Sequence, residues 1–369
     1  MINHKTDKTN VIPGKLTYGS DNKTALQAKF DAQKIAFGPI MFQAARALRD
    51  LGILEIVKNA RKEGITREEV AAELQLPVYG VKVLLEAGLS LDLVMVKDDH
   101  YSLTKVGWHI VSDELTRVNM DFTHDVNYLG MFSLAESVKT GNPTGLKVFG
   151  KWKTIYEGLS QLPENVQESW FNFDHFYSDY AFPEVLPIVL TPNVKKVLDV
   201  GGNTGKFAIQ CAKFNSLVEV LILDLPGQLN KAFAHIAANG FADRISGISI
   251  NLLDHTIPFP KGSDVIWMSQ FLDCFPQEDV LQLLIRAKNA MKADASLFIL
   301  ETYWDQQKFE ASTYSLHATS LYFTNMANGC SQMYHTRDML NLINEAGLYV
   351  EESFEDIGVS HTLFKCKVK

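Results

Sequence analysis

The chain has 369 residues, 46% of them hydrophobic, and its 35 basic and 43 acidic side chains give a net charge of −8. This composition supplies a large apolar core, excludes intrinsic disorder, collagen-like repeats and a simple coiled coil, and disfavours a nucleic-acid partner. No apolar run approaches the ~18 residues of a membrane-spanning helix, and the polar start MINHKTDKTN does not resemble a signal peptide, so we expect a cytoplasmic protein without a membrane partner.

The first 112 residues read as a polar arm (1–24) followed by helices. Apolar residues recur at helical spacing from 25 to 60 and predict a long apolar helix over 35–57. Thr66 and Glu69 form a capping box that opens a short helix, which Pro77 and Gly80 end before a second helix. Two short strands then flank the turn at 97–99. This order is typical of a winged helix.

A winged helix often binds DNA, but the charge pattern here argues against it. Residues 25–112 contain eleven basic and eleven acidic side chains, and the recognition-helix position, 77–88, holds one lysine and one glutamate. A groove-reading domain needs a net basic face. We therefore expect a packing module that forms the interface of a homodimer.

Residues 113–190 predict helices with loops at 141–143 and 162–163, and their many aromatic residues suit both a core and the wall of a pocket. From 191 onward, short apolar strands alternate with helices, which predicts a Rossmann-like α/β domain with a doubly wound parallel sheet. We divide the chain into a winged-helix domain (1–112) and a second domain (113–369), of which 113–190 is a helical connector and pocket and 191–369 the Rossmann-like core.

The four cysteines lie far apart and show no spacing typical of metal ligands: Cys211, Cys274, Cys330 and Cys366. We predict reduced thiols, with neither a disulfide framework nor a metal site.

A glycine-rich turn follows the first strand of the predicted sheet in VLDVGGNTGKFA. Gly201, Gly202 and Gly205 let a ligand approach the backbone and expose the amides of the next helix. Because Val200 stands two residues before Gly202, the turn is not the dinucleotide fingerprint GxGxxG. It follows the acidic-x-Gly-x-Gly-x-Gly loop of S-adenosylmethionine (SAM) methyltransferases from Asp199, with an asparagine in place of the middle glycine.

Two further acidic residues follow the next two strands. Asp224 ends the second strand about 20 residues beyond the turn, where a carboxylate can accept both ribose hydroxyls of a nucleoside. Asp254, after the third strand, could accept a hydrogen bond from the adenine edge. Together with the turn, they predict a SAM site at this end of the sheet.

The order LDVGGNTG, LDLP, NLLDHTIPFPKGSDVIWMSQFLDCFPQED, LFILE and NEAGL resembles the small-molecule O-methyltransferases of plants and bacteria over nearly the whole chain. The resemblance implies a winged-helix dimerisation domain, a seven-stranded SAM-methyltransferase domain and SAM as cofactor. FNFDHFYSDYA resembles the family's Ser-Asp segment, so that Ser178 and Asp179 would lie near the methionine end. The implied cofactor-binding residues are Ser178, Asp199, Gly201, Gly202, Gly205, Asp224, Leu225, Asp254, His255, Ser269 and Gln270.

One departure from the family concerns the catalytic base. The family places a histidine in Leu-His-Asp-Trp-Pro, whereas this chain reads Leu-Asp-Cys-Phe-Pro with Asp273 at the base position. Glu301 matches one of the two glutamates that flank the histidine, and the second is absent, its region containing Gln332 and Met333. We expect Asp273 and Glu301 to be the catalytic residues.

Three roles for Asp273, and the possibility that another residue is the base, remain open at this stage. A dry pocket near Glu301 could raise its pKa and make it a base. Alternatively, the acceptor could be ionised already, so that Asp273 only orients it, or the base could be His175 or His317. Asp273 could also merely cap the helix that begins near Pro276.

The expected function is SAM-dependent methyl transfer, most readily to oxygen of a small aromatic or polyketide-like acceptor. The alternative is a SAM-binding relative that does not methylate, either a decarboxylase or hydroxylase or a binding module, because the usual histidine is replaced. A ligand-sensing winged-helix regulator is a third hypothesis, which the charge pattern opposes.

Overall fold

The computed structural model describes Tyr18 and residues 20–369. These residues form two compact units, one ending at His124 and the other beginning at Asp125. Most of the polar arm predicted over 1–24 lies outside the described residues.

The first unit is mostly helical. Its elements are α1 (Ala25–Ala36), α2 (Gly38–Asp50), α3 (Ile53–Asn59), α4 (Arg67–Leu74), α5 (Val78–Ser90), β1 (Val94–Lys97), β2 (His100–Leu103), α6 (Lys105–Ser112) and α7 (Glu114–Asp121). The capping box of Thr66 and Glu69 at α4 is confirmed, and so is the hairpin, whose β1 and β2 pair antiparallel.

The single helix predicted over 35–57 is wrong, because α1, α2 and α3 divide this segment. Pro39, in the first turn of α2, has no backbone N–H to continue a helix from α1. Gly52 adopts a left-handed φ of 80° and starts α3. Gly80 does not end a helix either, since α5 begins at Val78 directly after Pro77.

The second unit begins with short helical turns and one long helix, and continues with alternating strands and helices. Its elements are α8 (Leu134–Thr140), α9 (Ile155–Gly158), α10 (Glu164–Val189), β3 (Lys196–Val200), α11 (Lys206–Phe214), β4 (Glu219–Asp224), α12 (Pro226–Ala238), β5 (Ile245–Ser249), β6 (Val265–Ser269), α13 (Gln277–Ala290), β7 (Ser296–Glu301), α14 (Glu310–Tyr322), α15 (Thr336–Glu345), β8 (Leu348–Ile357) and β9 (His361–Val368).

Seven strands form one mixed sheet in the order β5-β4-β3-β6-β7-β9-β8. The parallel arrangement is confirmed for β3 to β7. It is wrong for the end of the chain, where β9 runs antiparallel to β7 and β8. The prediction missed β8, whose residues are mostly exposed, so it carries no continuous apolar run.

Both faces of the sheet are buried by helices. Because successive strand residues point to opposite sides, neighbouring residues of one strand belong to different cores. In β3, Val197 belongs to the core beneath α10, α11 and α12, while Leu198 belongs to the core beneath α13 and α15. The strand order reverses between β3 and β6, and open α/β sheets bind ligands beyond the carboxyl ends of the strands at such a point. Within the part of the chain that the structure describes, no helix is both long and apolar enough to cross a bilayer.

Candidate active site

The glycine-rich turn after β3 depends on left-handed backbone. Gly201 and Gly205 both have φ of 76°, and Asn203 has φ of 48°. Asparagine adopts this conformation more readily than other non-glycine residues, which explains its place in the motif. A Cβ atom on Gly201 would stand 2.3 Å from the ring of Phe271, so this position accepts only glycine without a shift of its neighbours.

Two carboxyl groups organise the turn. Asp224, at the end of β4, accepts hydrogen bonds from the backbone N–H of Asn203 at 2.8 Å and of Leu225 at 2.7 Å. Burial raises its pKa, and these two N–H donors oppose that rise. Asp199 is 2% exposed, and burial, together with the charge of Asp224, raises its pKa to about 8.

Several buried polar atoms around the turn have no hydrogen-bond partner: Asp199 Oδ2, Asn203 Oδ1, His255 Nδ1, Ser269 Oγ and Gln270 Oε1. They belong to β3, the turn after it, the end of β6 and the loop after β5, around the reversal point of the sheet. Unpaired buried polar groups cost free energy unless a ligand or water satisfies them. These unpaired atoms, three of which are oxygen acceptors, fit a polar cofactor that carries hydroxyl and amino donors on a nucleoside, such as SAM.

Asp254 and His255 lie in the loop after β5. The Asp254 carboxylate accepts bonds from the hydroxyl and the backbone N–H of Thr256 at 2.6 and 3.1 Å, and these bonds lower its pKa. The Nε2 atom of His255 is 2.8 Å from a carboxylate oxygen of Asp279 in the first turn of α13, which fixes the ring. The Nδ1 atom of His255 is buried without a hydrogen-bond partner and is available to a ligand.

Helix α10 lies against the glycine-rich turn through a series of polar contacts. Asp174 accepts a bond from the Asn203 side chain at 3.1 Å, and Asp179 pairs with Lys206 at 2.6 Å. The hydroxyl of Ser178 donates to a carbonyl of its own helix, that of Asp174, at 3.3 Å. The Ser-Asp segment is thus beside the turn, with Asp179 engaged by a lysine.

Asp273 lies in a helical turn just after β6 and is 5% exposed. Glu301, at the end of the neighbouring β7, is 1% exposed and holds this turn in place. Its Oε1 accepts the backbone N–H groups of Phe271 at 3.0 Å and Leu272 at 2.8 Å, while Oε2 has no partner. The structure therefore brings Asp273 and Glu301 together, and Glu301 acts on the backbone that carries Asp273.

Asp273, Asp174 and Glu301 retain their protons to higher pH than solvent-exposed carboxyl groups do. Burial raises the pKa of Asp273 to about 7, and the charge of Asp174 adds to the effect. Burial also raises the pKa of Asp174 to about 6 and holds that of Glu301 well above its usual range, with Asp273 adding repulsion. A carboxyl that titrates near neutrality can exchange a proton at working pH.

The charge of Asp273 acts on four tyrosine hydroxyls that the sequence did not assign to the site. They belong to Tyr156, Tyr303, Tyr322 and Tyr334. Burial raises the pKa of each hydroxyl, and the charge of Asp273 adds to each rise. Tyr322 accepts a bond from the indole N–H of Trp170 at 2.7 Å. Only their aromatic character could have marked them in the sequence.

The other roles considered for the base can now be compared. Helix α13 starts at Gln277 after Pro276 with no side-chain cap, so a capping role for Asp273 is wrong. Burial lowers the pKa of His175 to about 4, helped by the charge of Lys206, which makes it a weak base. The ring of His317 packs against Trp304 with centroids 5.0 Å apart.

The second flanking glutamate of the family has no counterpart in this region. Gln332 is exposed, whereas Met333 is buried and accepts a weak hydrogen bond at its sulfur from the hydroxyl of Thr302 at 3.3 Å. Among residues 20–369, no three His, Cys, Asp or Glu side chains are grouped as metal ligands.

Comparison with known proteins places this arrangement in a family. Residues 134–349 match the O-methyltransferase domain, and residues 29–101 match the Dimerisation2-like domain. The L-tyrosine C(3)-methyltransferase of Streptomyces lavendulae is 26% identical over 272 residues, 73% of each chain. The 3-hydroxy-5-methyl-1-naphthoate 3-O-methyltransferase of Streptomyces sahachiroi is 25% identical over 65% of this chain and 68% of the relative.

Solved structures share the fold. The SAM-dependent methyltransferase SibL has a TM-score of 0.70 and 24% identity, covering 92% of this chain and 98% of SibL. NcsB1, an O-methyltransferase from neocarzinostatin biosynthesis in complex with SAM and 2-hydroxy-5-methyl naphthoic acid, has a TM-score of 0.67 and 17% identity, covering 95% of this chain and all of NcsB1. The chain belongs to the O-methyltransferase domain family and is a SAM-dependent methyltransferase, and the non-methylating alternative is not favoured.

Proposed function

We propose that this family member transfers the methyl group of SAM to a phenol-type oxygen of a small aromatic or polyketide-like acceptor, and that Asp273 takes up the acceptor's proton. The observation that carries the proposal is the burial of Asp273, which is 5% exposed in the turn whose Phe271 lies against Gly201. This burial raises the pKa of Asp273 to about 7. An ordinary carboxylate, with a pKa near 3.9, is too weak a base for a phenol with a pKa near 10. Raising the carboxyl pKa narrows that gap and improves proton transfer.

The cofactor would be held at the carboxyl ends of β3, β4 and β6, where it supplies an electrophilic methyl group on a sulfonium. Asp224 is suited to the ribose hydroxyls, while the turn 201–205 lets the backbone come close to the cofactor. The residues proposed to complete the site are Ser178, Asp199, Leu225, Asp254, His255, Ser269 and Gln270. The enzyme's own contribution is to position the acceptor in line with the methyl group, which supplies much of the rate.

Glu301 would act on the reaction through the backbone. Its carboxyl binds the N–H groups of Phe271 and Leu272 and so keeps Asp273 at the acceptor. Burial and the charge of Asp273 both hold the pKa of Glu301 well above its usual range, which favours the protonated form of Glu301 when Asp273 is ionised.

A second candidate reaction is methylation of a ring carbon ortho to the same phenol. The relative from Streptomyces lavendulae is named for methyl transfer to C(3) of L-tyrosine, and this chain lacks the histidine of the plant-type O-methyltransferases. Removing the phenol proton raises the electron density of the ring as well as of the oxygen. After methyl transfer to carbon, that carbon loses its own proton and the oxygen regains one from Asp273, so either reaction releases one proton overall. Asp273 could therefore serve either outcome.

Methyl-¹³C SAM and a panel of phenols test both reactions. The proposal expects a new carbon signal typical of an aryl methyl ether, and the second candidate expects one typical of an aryl methyl group. Transfer to neither atom with any phenol or enol would contradict the proposed function.

The N-terminal region is proposed to be a winged-helix domain (1–112) that forms a two-fold homodimer, followed by the catalytic domain (113–369). The match to a Dimerisation2-like domain supports this, and so does α1, which has no buried residue and exposes Leu26, Phe30 and Ile35. Light scattering at micromolar concentration tests it, since a monomer would contradict the proposal.

We also propose that the protein works in the cytoplasm. All four cysteines are free, and Cys211 and Cys366 are buried, which suits a reducing compartment. Fractionation of the source cells followed by immunodetection tests this localisation.

A further inference from the structure

Residues 271–275, between β6 and α13, carry the proposed base, and we call them the base turn. Two side chains from one distant segment of the chain bind the carbonyl groups at its end. The side-chain amide of Asn328 donates to the carbonyl of Cys274, and the hydroxyl of Tyr334 donates to that of Phe275 at 2.6 Å. Since a carboxyl group at the end of β7 holds the N–H groups at its start, both ends of the base turn are fixed by side chains from other elements.

The orientation of the Asn328 amide is determined by its other partners. Its Oδ1 atom accepts the backbone N–H groups of Cys330 and Ser331, both at 3.1 Å, and the hydroxyl of Ser331 at 2.8 Å. These three donors need an oxygen, so the amide nitrogen faces the base turn. The loop has little freedom to move, because Gly329 has a left-handed φ of 90° and a Cβ atom there would stand 2.4 Å from the carbonyl oxygen of Gly141.

Tyr334 is equally well fixed. It is 2% exposed, and it belongs to the same core cluster as Phe271 and Leu272, the first residues of the base turn. Burial raises the pKa of its hydroxyl, so this group keeps its proton and remains a donor to the carbonyl. The preceding residue is held as well, since the N–H of Met333 donates to the hydroxyl of Ser320 on α14 at 3.1 Å.

Both partners at the end of the base turn are electrically neutral. They come from segment 328–334, the region in which the second flanking glutamate of the family is absent. A carboxylate beside a histidine stabilises the positive charge that the ring gains with a proton, whereas a carboxylate beside Asp273 would repel its ionised form. A hydroxyl and an amide hold the backbone without adding such a charge, which suits a base that is itself a carboxyl group.

Resting on the proposed role of Asp273 as the base, we propose that Tyr334 and Asn328 are positioning residues that keep its carboxyl group at the acceptor. Their contacts are with the backbone carbonyls of Cys274 and Phe275, so each acts through the chain that carries the base. Loss of either bond leaves a carbonyl without its donor and lets the turn shift. A misplacement of about 1 Å in a reacting group can reduce a rate by about 10²-fold.

Tyr334→Phe tests the proposal by removing a single oxygen atom. We expect kcat for methyl transfer to fall at least about tenfold, while the affinity for S-adenosylhomocysteine, measured by calorimetry, stays unchanged. Tyr314→Phe removes an exposed hydroxyl from α14 and is the matched control. A kcat of Tyr334→Phe equal to that of this control overturns the role of Tyr334.

Asn328→Asp tests the second contact. The carboxylate still accepts the N–H groups of the loop, but at pH 7.5 it has no proton to donate to the carbonyl of Cys274. We expect kcat to fall at least as far as in Tyr334→Phe. Asn193→Asp adds the same charge at an exposed position before β3 and should keep the wild-type kcat. Equal kcat values of the two aspartate variants contradict the role of Asn328.

A double-mutant cycle with Asp273→Asn separates positioning from a merely structural effect. If Tyr334 acts through the base, Tyr334→Phe should change kcat by at most about twofold once Asp273→Asn is present, because no base remains to be misplaced. The same loss in both backgrounds would show an effect independent of the base and contradict the proposal. Near-normal turnover of Asp273→Asn alone would instead contradict the proposed base, and this proposal with it, so the two failures give different results.

Discussion

The two ends of the proposed active site, one for the cofactor and one for the acceptor, are built on different principles. At the cofactor end, a contiguous stretch from Asp199 to Leu225 contains the turn and the carboxylate that binds its amides. At the acceptor end, Asp273 after β6 and Glu301 at the end of β7 are separated along the chain by α13, and the parallel pairing of the two strands brings them together. The cofactor end is thus determined mainly by backbone conformation, and the acceptor end by the burial and charge of side chains.

The two ends also differ in what sets the pKa values of their carboxyl groups. Two backbone N–H groups stabilise the charged form of Asp224 and oppose the effect of its burial. At the acceptor end, burial raises the pKa of Asp273 to about 7, and burial together with the charge of Asp273 raises that of Glu301 well above its usual value. A cofactor end that follows the glycine-rich loop of the family can therefore coexist with an acceptor end in which Asp273 stands where the family has a histidine.

The largest expected effect is that of Asp273→Asn, which should affect only the acceptor end. The amide keeps the shape of the side chain but cannot take up a proton, so we expect turnover to fall by about 10²-fold or more. Affinity for S-adenosylhomocysteine, measured by calorimetry, should not change. Near-normal turnover on the true acceptor would remove the role of Asp273, and His175 would be the next residue to test.

Asp224→Ala should weaken cofactor binding, which Asp273→Asn should leave unchanged. The variant leaves the N–H groups of Asn203 and Leu225 without their acceptor and removes the partner proposed for the ribose, so SAM binding should weaken by about 1–3 kcal/mol. Asp243→Ala, at an exposed position of the same domain, is the matched control. Unchanged SAM affinity in Asp224→Ala would refute the proposed cofactor contact.

Gly201→Ala tests whether the cofactor end depends on backbone conformation. The φ of 76° costs an L-residue about 1–2 kcal/mol, and the added Cβ atom would approach Phe271. We expect SAM affinity and the melting temperature both to fall. Gly227→Ala, whose Cβ atom would meet nothing within 4 Å, should change neither appreciably, and equal behaviour of the two variants would contradict the argument.

The same contrast explains how much the sequence could predict. The turn motif and the apolar strands β3 to β7 are local patterns, and both predicted the observed backbone. Strand β8 was missed because it lies at the edge of the sheet with most of its residues exposed. Asp174 was missed because an acidic residue in a helix usually faces solvent, and only in the folded chain does its charge act on Asp273 and raise the pKa of that carboxyl. The roles assigned to individual site residues stay predictions until variants are measured.

The central claim is that Asp273, in its ionised form, accepts the acceptor's proton. The most direct test is the pH dependence of kcat/KM for methyl transfer in the wild type and in Asp273→Asn. Since the carboxyl must be ionised and its pKa is about 7, kcat/KM should fall about tenfold per unit below pH 7 and level off above it. This decrease of kcat/KM below pH 7 should be absent in Asp273→Asn. Two results would contradict the account. One is a wild-type kcat/KM that decreases only near pH 4, where His175 titrates, and the other is a decrease near pH 7 that persists in Asp273→Asn.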